Sequence, residues 1–96
     1  MKASRFYVYL LTTSKNTVLY IGVTNDLTRR VIEHKQHRIY GFTADYNVNK
    51  LVYYESFEYN DKAIRSEKQL KKWNRVWKNQ LIATHNPDWH ELAPPL

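Results

Sequence analysis

Ninety-six residues are enough for one compact domain with a modest core, and the lack of cysteine excludes a disulfide framework or a thiolate metal site. Fifteen Lys and Arg against nine Asp and Glu leave a formal charge of +6, which over so small a surface favours polyanionic partners; eight tyrosines and three tryptophans add faces on which bases can stack. No run reaches the ~20 apolar residues of a membrane span and the first residues lack the apolar core of a signal peptide, so the chain is expected in the cytoplasm, away from membranes.

After a polar lead over residues 1–4, Phe6-Tyr7-Val8-Tyr9-Leu10-Leu11 is almost wholly apolar or aromatic, the composition of a strand covered on both faces. Ser14-Lys15-Asn16 is turn chemistry and Val18 to Ile21 follows as a second strand, so the pair forms a β-hairpin. Its register decides how two phenols relate. If opposed residue numbers sum to an odd total such as 29, the loop is Thr13 to Asn16 and Tyr9 faces Tyr20 on one side of the sheet; an even total separates the two hydroxyls. Gly22 reads as the turn that ends this strand. Asn25 or Asp26 then caps a helix from about Asp26 to His37. On it Arg30, His34 and either His37 or Arg38 share a face, with Lys35 beside them. A tyrosine at a strand end next to cations suits a phosphate better than a core.

Arg38 to Asn49 holds Gly41, Thr43 and Asp45 among scattered aromatics without a period, and reads as an irregular surface loop. Leu51 to Phe57 is a third strand. Asn60 or Asp61 caps a second helix to about Trp73, with Ala63, Ile64, Leu70 and Trp73 on one stripe. Asn74 to Thr84 is a third helix with Val76, Trp77, Leu81 and Ile82 inward, ended by Asn86-Pro87 because the residue before proline is pushed out of helical geometry. Trp89 packs back on the body and residues 93–96 trail off. The order β-β-α-β-α-α is an α+β domain, a three-stranded, mainly antiparallel sheet flanked by three helices.

Glu67 stands out, because its spacing from Ala63, Ile64 and Leu70 puts a carboxylate on the apolar stripe. An unpartnered buried carboxylate costs several kcal/mol, so it needs a cation: Lys71 or Arg30 in an ordinary ion pair, or a divalent metal completed by substrate phosphate and waters. Both readings stand at this point. Tyr9 and Tyr20 could equally be strand packing, and Arg30 a solvated face where Glu33 pairs with Arg29. Lys68, Lys71, Lys72, Arg75 and Lys78 surround Trp73 and Trp77 as a wet surface or as a patch that tracks phosphates. His34, His37, His85 and His90 lack the spacing of a zinc site.

Together these residues resemble the GIY-YIG nuclease superfamily, in its small stand-alone branch of single-domain bacterial proteins. Tyr7-Val8-Tyr9 stands where the first tripeptide would be, and Tyr20-Ile21-Gly22 matches the second as written. Leu27, Arg30 and His34 follow at the family's spacing, Ala63-Ile64-Arg65-Ser66-Glu67 looks like the metal-carboxylate helix, and Asn86 sits near the family's C-terminal asparagine. Gly41-Phe42-Thr43, Leu51-Val52-Tyr53-Tyr54-Glu55 and Leu70-Lys71-Lys72-Trp73 look like the stand-alone branch in particular, and the likeness runs from about Phe6 to Leu92. Tyr7 replaces the first glycine, and Val23 stands where repair-incision relatives often have lysine.

The resemblance implies an endonuclease that hydrolyses DNA phosphodiesters with little sequence specificity, in repair or recombination, using one Mg²⁺ or Mn²⁺ held by Glu67. It makes Tyr9, Tyr20, Arg30, His34 and Glu67 catalytic, with Tyr9 as favoured base and Tyr20 and His34 as positioning groups. Lys35, Arg38, Thr43, Lys71, Arg75 and Asn86 would bind nucleic acid, DNA first with RNA as a further substrate. The alternative is a weakly active or inactive binding module of the same fold that acts with a partner protein; a monomer or weak dimer is expected.

Overall fold

The computed structural model describes residues 5–95, so the polar lead at residues 1–4 and the final Leu96 lie outside it. Strands β1 (Phe6–Thr12), β2 (Leu19–Thr24) and β3 (Lys50–Phe57) form an antiparallel sheet in the order β2-β1-β3, with the most apolar segment at its centre. Helices α1 (Leu27–Lys35), α2 (Phe42–Asp45), α3 (Asn60–Lys72) and α4 (Arg75–His85) complete the α+β fold. The single turn α2 lies in the stretch read as an irregular loop; four residues are too few to leave a period.

Alternate residues of β1 enter different cores, which is why the strand reads as continuously apolar. Val8 and Leu10 join Ile21, Ala63, Leu70 and Ile82 beneath α3 and α4. Tyr9 and Leu11 join Leu27, Val31, Val48 and Leu51 on the face that α1 covers. Where β1 meets β3 the register shifts between Leu10 and Leu11, which pair with Tyr53 and Leu51. This bulge lets Val52 and Tyr53 both enter the α3–α4 core.

The hairpin register is of the odd-sum kind but displaced by two: Tyr9 lies opposite Gly22, and Leu11 opposite Tyr20. Strand β2 runs through Gly22 to Thr24, so the glycine makes no turn. It makes room instead. A Cβ at Gly22 would lie 2.8 Å from Tyr9 Cε1 and closer still to Cζ and the hydroxyl, so the Tyr9 ring crosses β2 where no side chain exists.

Asp26 is the cap of α1, its side chain accepting from Arg29 N–H at 3.1 Å. The helix ends at Lys35, and His37 at φ 56° turns the chain away, so His37 and Arg38 stand beyond the helical face expected to hold them. Asn60 falls inside α3, whose cap position is Tyr59. Asn74 caps α4, accepting from Trp77 N–H at 2.8 Å. Val76 and Trp77, expected inward, face solvent, because α4 buries the side that carries Ile82.

Beyond α4 the chain doubles back as a strap across both layers. Asn86 donates to the carbonyls of Val52 at 3.1 Å and His90 at 2.9 Å, and accepts from His90 N–H. Leu92 N–H donates to the Leu51 carbonyl at 2.8 Å, so the strap takes up carbonyls at the bulge of edge strand β3. It then reaches α1, where Glu91 pairs with Lys35 and Thr28 donates to the Pro95 carbonyl at 2.9 Å.

Candidate active site

Tyr9, Tyr20 and His34 meet between the sheet and α1. The ring centroids of Tyr9 and Tyr20 are 6.2 Å apart, and His34 lies 5.9 Å from the first and 5.4 Å from the second. Tyr9 Oη is 3.1 Å from His34 Nε2, while His34 Nδ1 is 3.1 Å from Thr43 Oγ1 on α2. The hydroxyl–imidazole–hydroxyl chain is sealed, with Tyr9 at 0% and His34 at 1% exposure. Burial, helped by the nearby Arg30 guanidinium and opposed by Glu33, holds the His34 acidity constant at about 4, so the ring is neutral at pH 7. A neutral ring has one donor and one acceptor nitrogen, so the chain of hydrogen bonds runs either from Tyr9 to Thr43 or the reverse.

This overturns two expectations. His34 is not part of a wet cationic face, because it is the buried partner of Tyr9. Nor is Tyr9 placed to act as a base: burial and then the neighbouring Tyr20 push its phenol far above the ordinary tyrosine range, outweighing the pull of Arg30, and no part of it reaches solvent. Tyr20 is partly exposed and is the phenol that water can reach.

Arg30 is half-exposed beside the Tyr9 hydroxyl. Its Nε lies 3.4 Å from Glu33 Oε1, and Arg29 Nε lies 3.4 Å from Glu33 Oε2, so one acid bridges two guanidiniums. Arg29, Arg30 and Glu33 line a polar cleft of about 130 Å³ with Thr24, Asn25 and Asp26, at the end of β2. A phosphate oxygen could exchange with Glu33 there.

Glu67 lies on the other layer. Its stripe on α3 packs against the sheet face opposite Tyr9, and its carboxylate, 13% exposed, takes Lys71 Nζ at 2.8 Å. Helix α3 lies chiefly over β1 and β2, and the Tyr9 ring passes Gly22 on β2. The donor set fits a divalent ion of the Mg²⁺ kind, which commonly takes one carboxylate and completes its shell with waters and substrate phosphate. No group of three or more His, Asp or Glu suited to a metal occurs among the described residues.

The expected nucleic-acid contacts divide. Arg38 is exposed, and Lys35 is exposed but paired with Glu91. Lys71 serves Glu67. Thr43 is buried as the second partner of His34, Asn86 is buried in the strap, and Arg75 donates to the carbonyls of Asn16 and Thr17, each at 3.2 Å, and to Asn79 at 2.8 Å. The polar groups of Thr43 and Asn86 are thus taken up by protein, whereas Arg75 is exposed and keeps N–H groups beyond these bonds. The roles of Thr43 and Gly22 were missed because both depend on long-range register. The signal for Thr43 is its place in Gly41-Phe42-Thr43, which marks the residue without showing that its hydroxyl meets His34.

A model of the GIY-YIG catalytic domain matches residues 5–80. A UPF0213 protein of Clostridium perfringens is 38% identical over 78 residues, covering 81% of this chain and 83% of its own length. One from Syntrophus aciditrophicus is 37% identical over 87 residues, covering 88% and 97%. One from the archaeon Natronomonas pharaonis is 33% identical over 81 residues, covering 84% and 94%. The solution NMR structure of a UPF0213 protein from Bacillus halodurans superposes with a TM-score of 0.58 at 26% identity, covering 91% of this chain and 92% of that one.

Proposed function

This chain belongs to the GIY-YIG catalytic domain family, and from that premise we propose that it is a divalent-metal-dependent endonuclease that cleaves DNA with little sequence specificity, in repair or recombination. The observation that carries the reading is the convergence of Tyr9, Tyr20, Arg30 and His34 from β1, β2 and α1 at one edge of the sheet. A merely structural cluster has no need of a half-exposed guanidinium at its mouth.

The scissile phosphate lies along the β2 edge, where Arg30 gives up Glu33 to donate to its non-bridging oxygens. Tyr20 orients the attacking water. Tyr9, fixed by His34 and Thr43, holds the floor beneath it. Glu67, released by Lys71, would hold one Mg²⁺ or Mn²⁺, whose positive charge offsets that developing on the phosphate and the leaving 3′ oxygen. Lys71, once displaced, is free for the phosphate backbone.

A second reading, a binding module of the same fold that relies on a partner protein, is favoured by the sealed Tyr9 and by the Lys71–Glu67 pair. Incubation with plasmid, branched and single-stranded DNA, with and without Mg²⁺ or Mn²⁺, decides between them. Cleavage is expected to vanish in Glu67→Gln while DNA binding persists, and Arg30→Ala should slow it about 10²- to 10³-fold. Binding without cleavage of any substrate in either metal would select the second reading.

A further inference from the structure

We propose that the groove between the end of α3 and the outer face of α4 is a stacking site for an unpaired base of the bound nucleic acid. The site extends the nuclease reading by adding a substrate subsite on a different face.

An exposed tryptophan on a helix needs a reason, since α4 leaves Trp77 53% exposed with Val76 beside it in solvent. Trp73 packs against the core from below, so its ring is fixed, and Trp77 stands edge-on to it with centroids 5.9 Å apart at 88°. Trp77, Gln80, Leu81 and Thr84 follow the three-and-four spacing of one helix face, and with Trp73 they line an open groove of about 370 Å³. That volume suits one heterocycle with its sugar. The Gln80 amide offers both donors and an acceptor to a base edge.

Charge selects the occupant. Lys71 and Lys72 close α3 just before Trp73, Lys78 follows Trp77, and α4 carries no acidic residue. An apolar groove whose two tryptophans are flanked in the chain by Lys72 and Lys78, on a helix without an acid, complements a polyanion with aromatic bases, whereas a hydrophobic peptide would leave these lysines unmatched. From Glu67 to Lys72 is five residues of helix, or ~7.5 Å, and Trp73 follows as the C-cap. A strand stacked at ~3.4 Å per nucleotide reaches Trp73 in about three steps, so the captured base flanks the phosphate held at Glu67.

The test is a metal-free titration of a ten-residue oligothymidylate into protein carrying Trp89→Phe, so that fluorescence reports only Trp73 and Trp77. Saturable quenching is expected, with a ten-base-pair duplex quenching far less. Trp77→Ala should weaken binding about 5- to 150-fold, while Trp77→Phe, which keeps a stacking face, retains most of it. Trp77 is exposed, so its variants are expected to fold as the Trp89→Phe background does, and because Trp89 packs against the core circular dichroism checks that background first. Unchanged affinity in Trp77→Ala, or binding without quenching, overturns the site; so does a dimer in sedimentation that Trp77→Ala dissolves, since the groove would then hold a second copy. The unmutated protein separates the two readings: quenching intact in a protein that cleaves nothing in Mg²⁺ or Mn²⁺ sinks hydrolysis and leaves the stacking site, and cleavage without quenching does the opposite.

Discussion

Gly22 shows how one missing side chain organises a site. The Tyr9 ring occupies the space a Cβ would fill, and that passage lets its hydroxyl reach His34. Gly22→Ala is therefore expected to cost about 1–3 kcal/mol by overpacking, read as a lower urea midpoint, and Tyr9→Leu in the same background should recover part of it. His34 makes a second prediction. Its folded acidity constant of about 4 lies below the ~6.5 of an unfolded chain, so the unfolded state binds the proton first as pH falls. The stability it contributes is fully present above about pH 6.5 and is lost on descending to pH 4, by about 3 kcal/mol in all. Denaturant titrations across that range should show the slope in the wild type and lose much of it in His34→Asn. An equal slope in both would mean that other groups carry the acid sensitivity.

Among the elements, α1 matters most and is the least self-sufficient. Nine residues make a marginal helix in water, and its position depends on Leu27 and Val31 in the core and on the strap across it. A chain ending at Trp89 loses the Leu92 and Pro95 hydrogen bonds, at ~1 kcal/mol each, and α1 amide exchange should rise roughly 30-fold while β1 stays protected. If α1 exchanged no faster, the strap would be ornament. The strands and the three longer helices were legible in the sequence because each has a period or a cap: the apolar run of β1, Asp26 before α1, Asn74 before α4. The strap was not, since its bonds join Asn86 and Leu92 to carbonyls 34 and 41 residues earlier, and backbone acceptors leave no trace in side-chain identity. The site was half legible for the same reason. Family spacing picks out Tyr9, Tyr20, Arg30 and His34, but periodicity cannot tell a wet helix face from the buried one that holds His34, and the segment that carries Thr43 has no period at all.

Over the whole molecule, a formal charge of +6 sets how it meets a polyanion. If about five phosphates are contacted, the logarithm of affinity should fall with the logarithm of salt concentration at a slope near −4.5, measured by fluorescence anisotropy on labelled DNA. A flat dependence would exclude a phosphate-led mode. The strap across α1 carries a further consequence, one of timing. During synthesis α1 leaves the ribosome long before residues 86–95, so the guanidinium and imidazole of the site lack their final brace until that late segment has emerged. A chain not yet extended through residues 86–95 thus holds Arg30 and His34 on a looser α1.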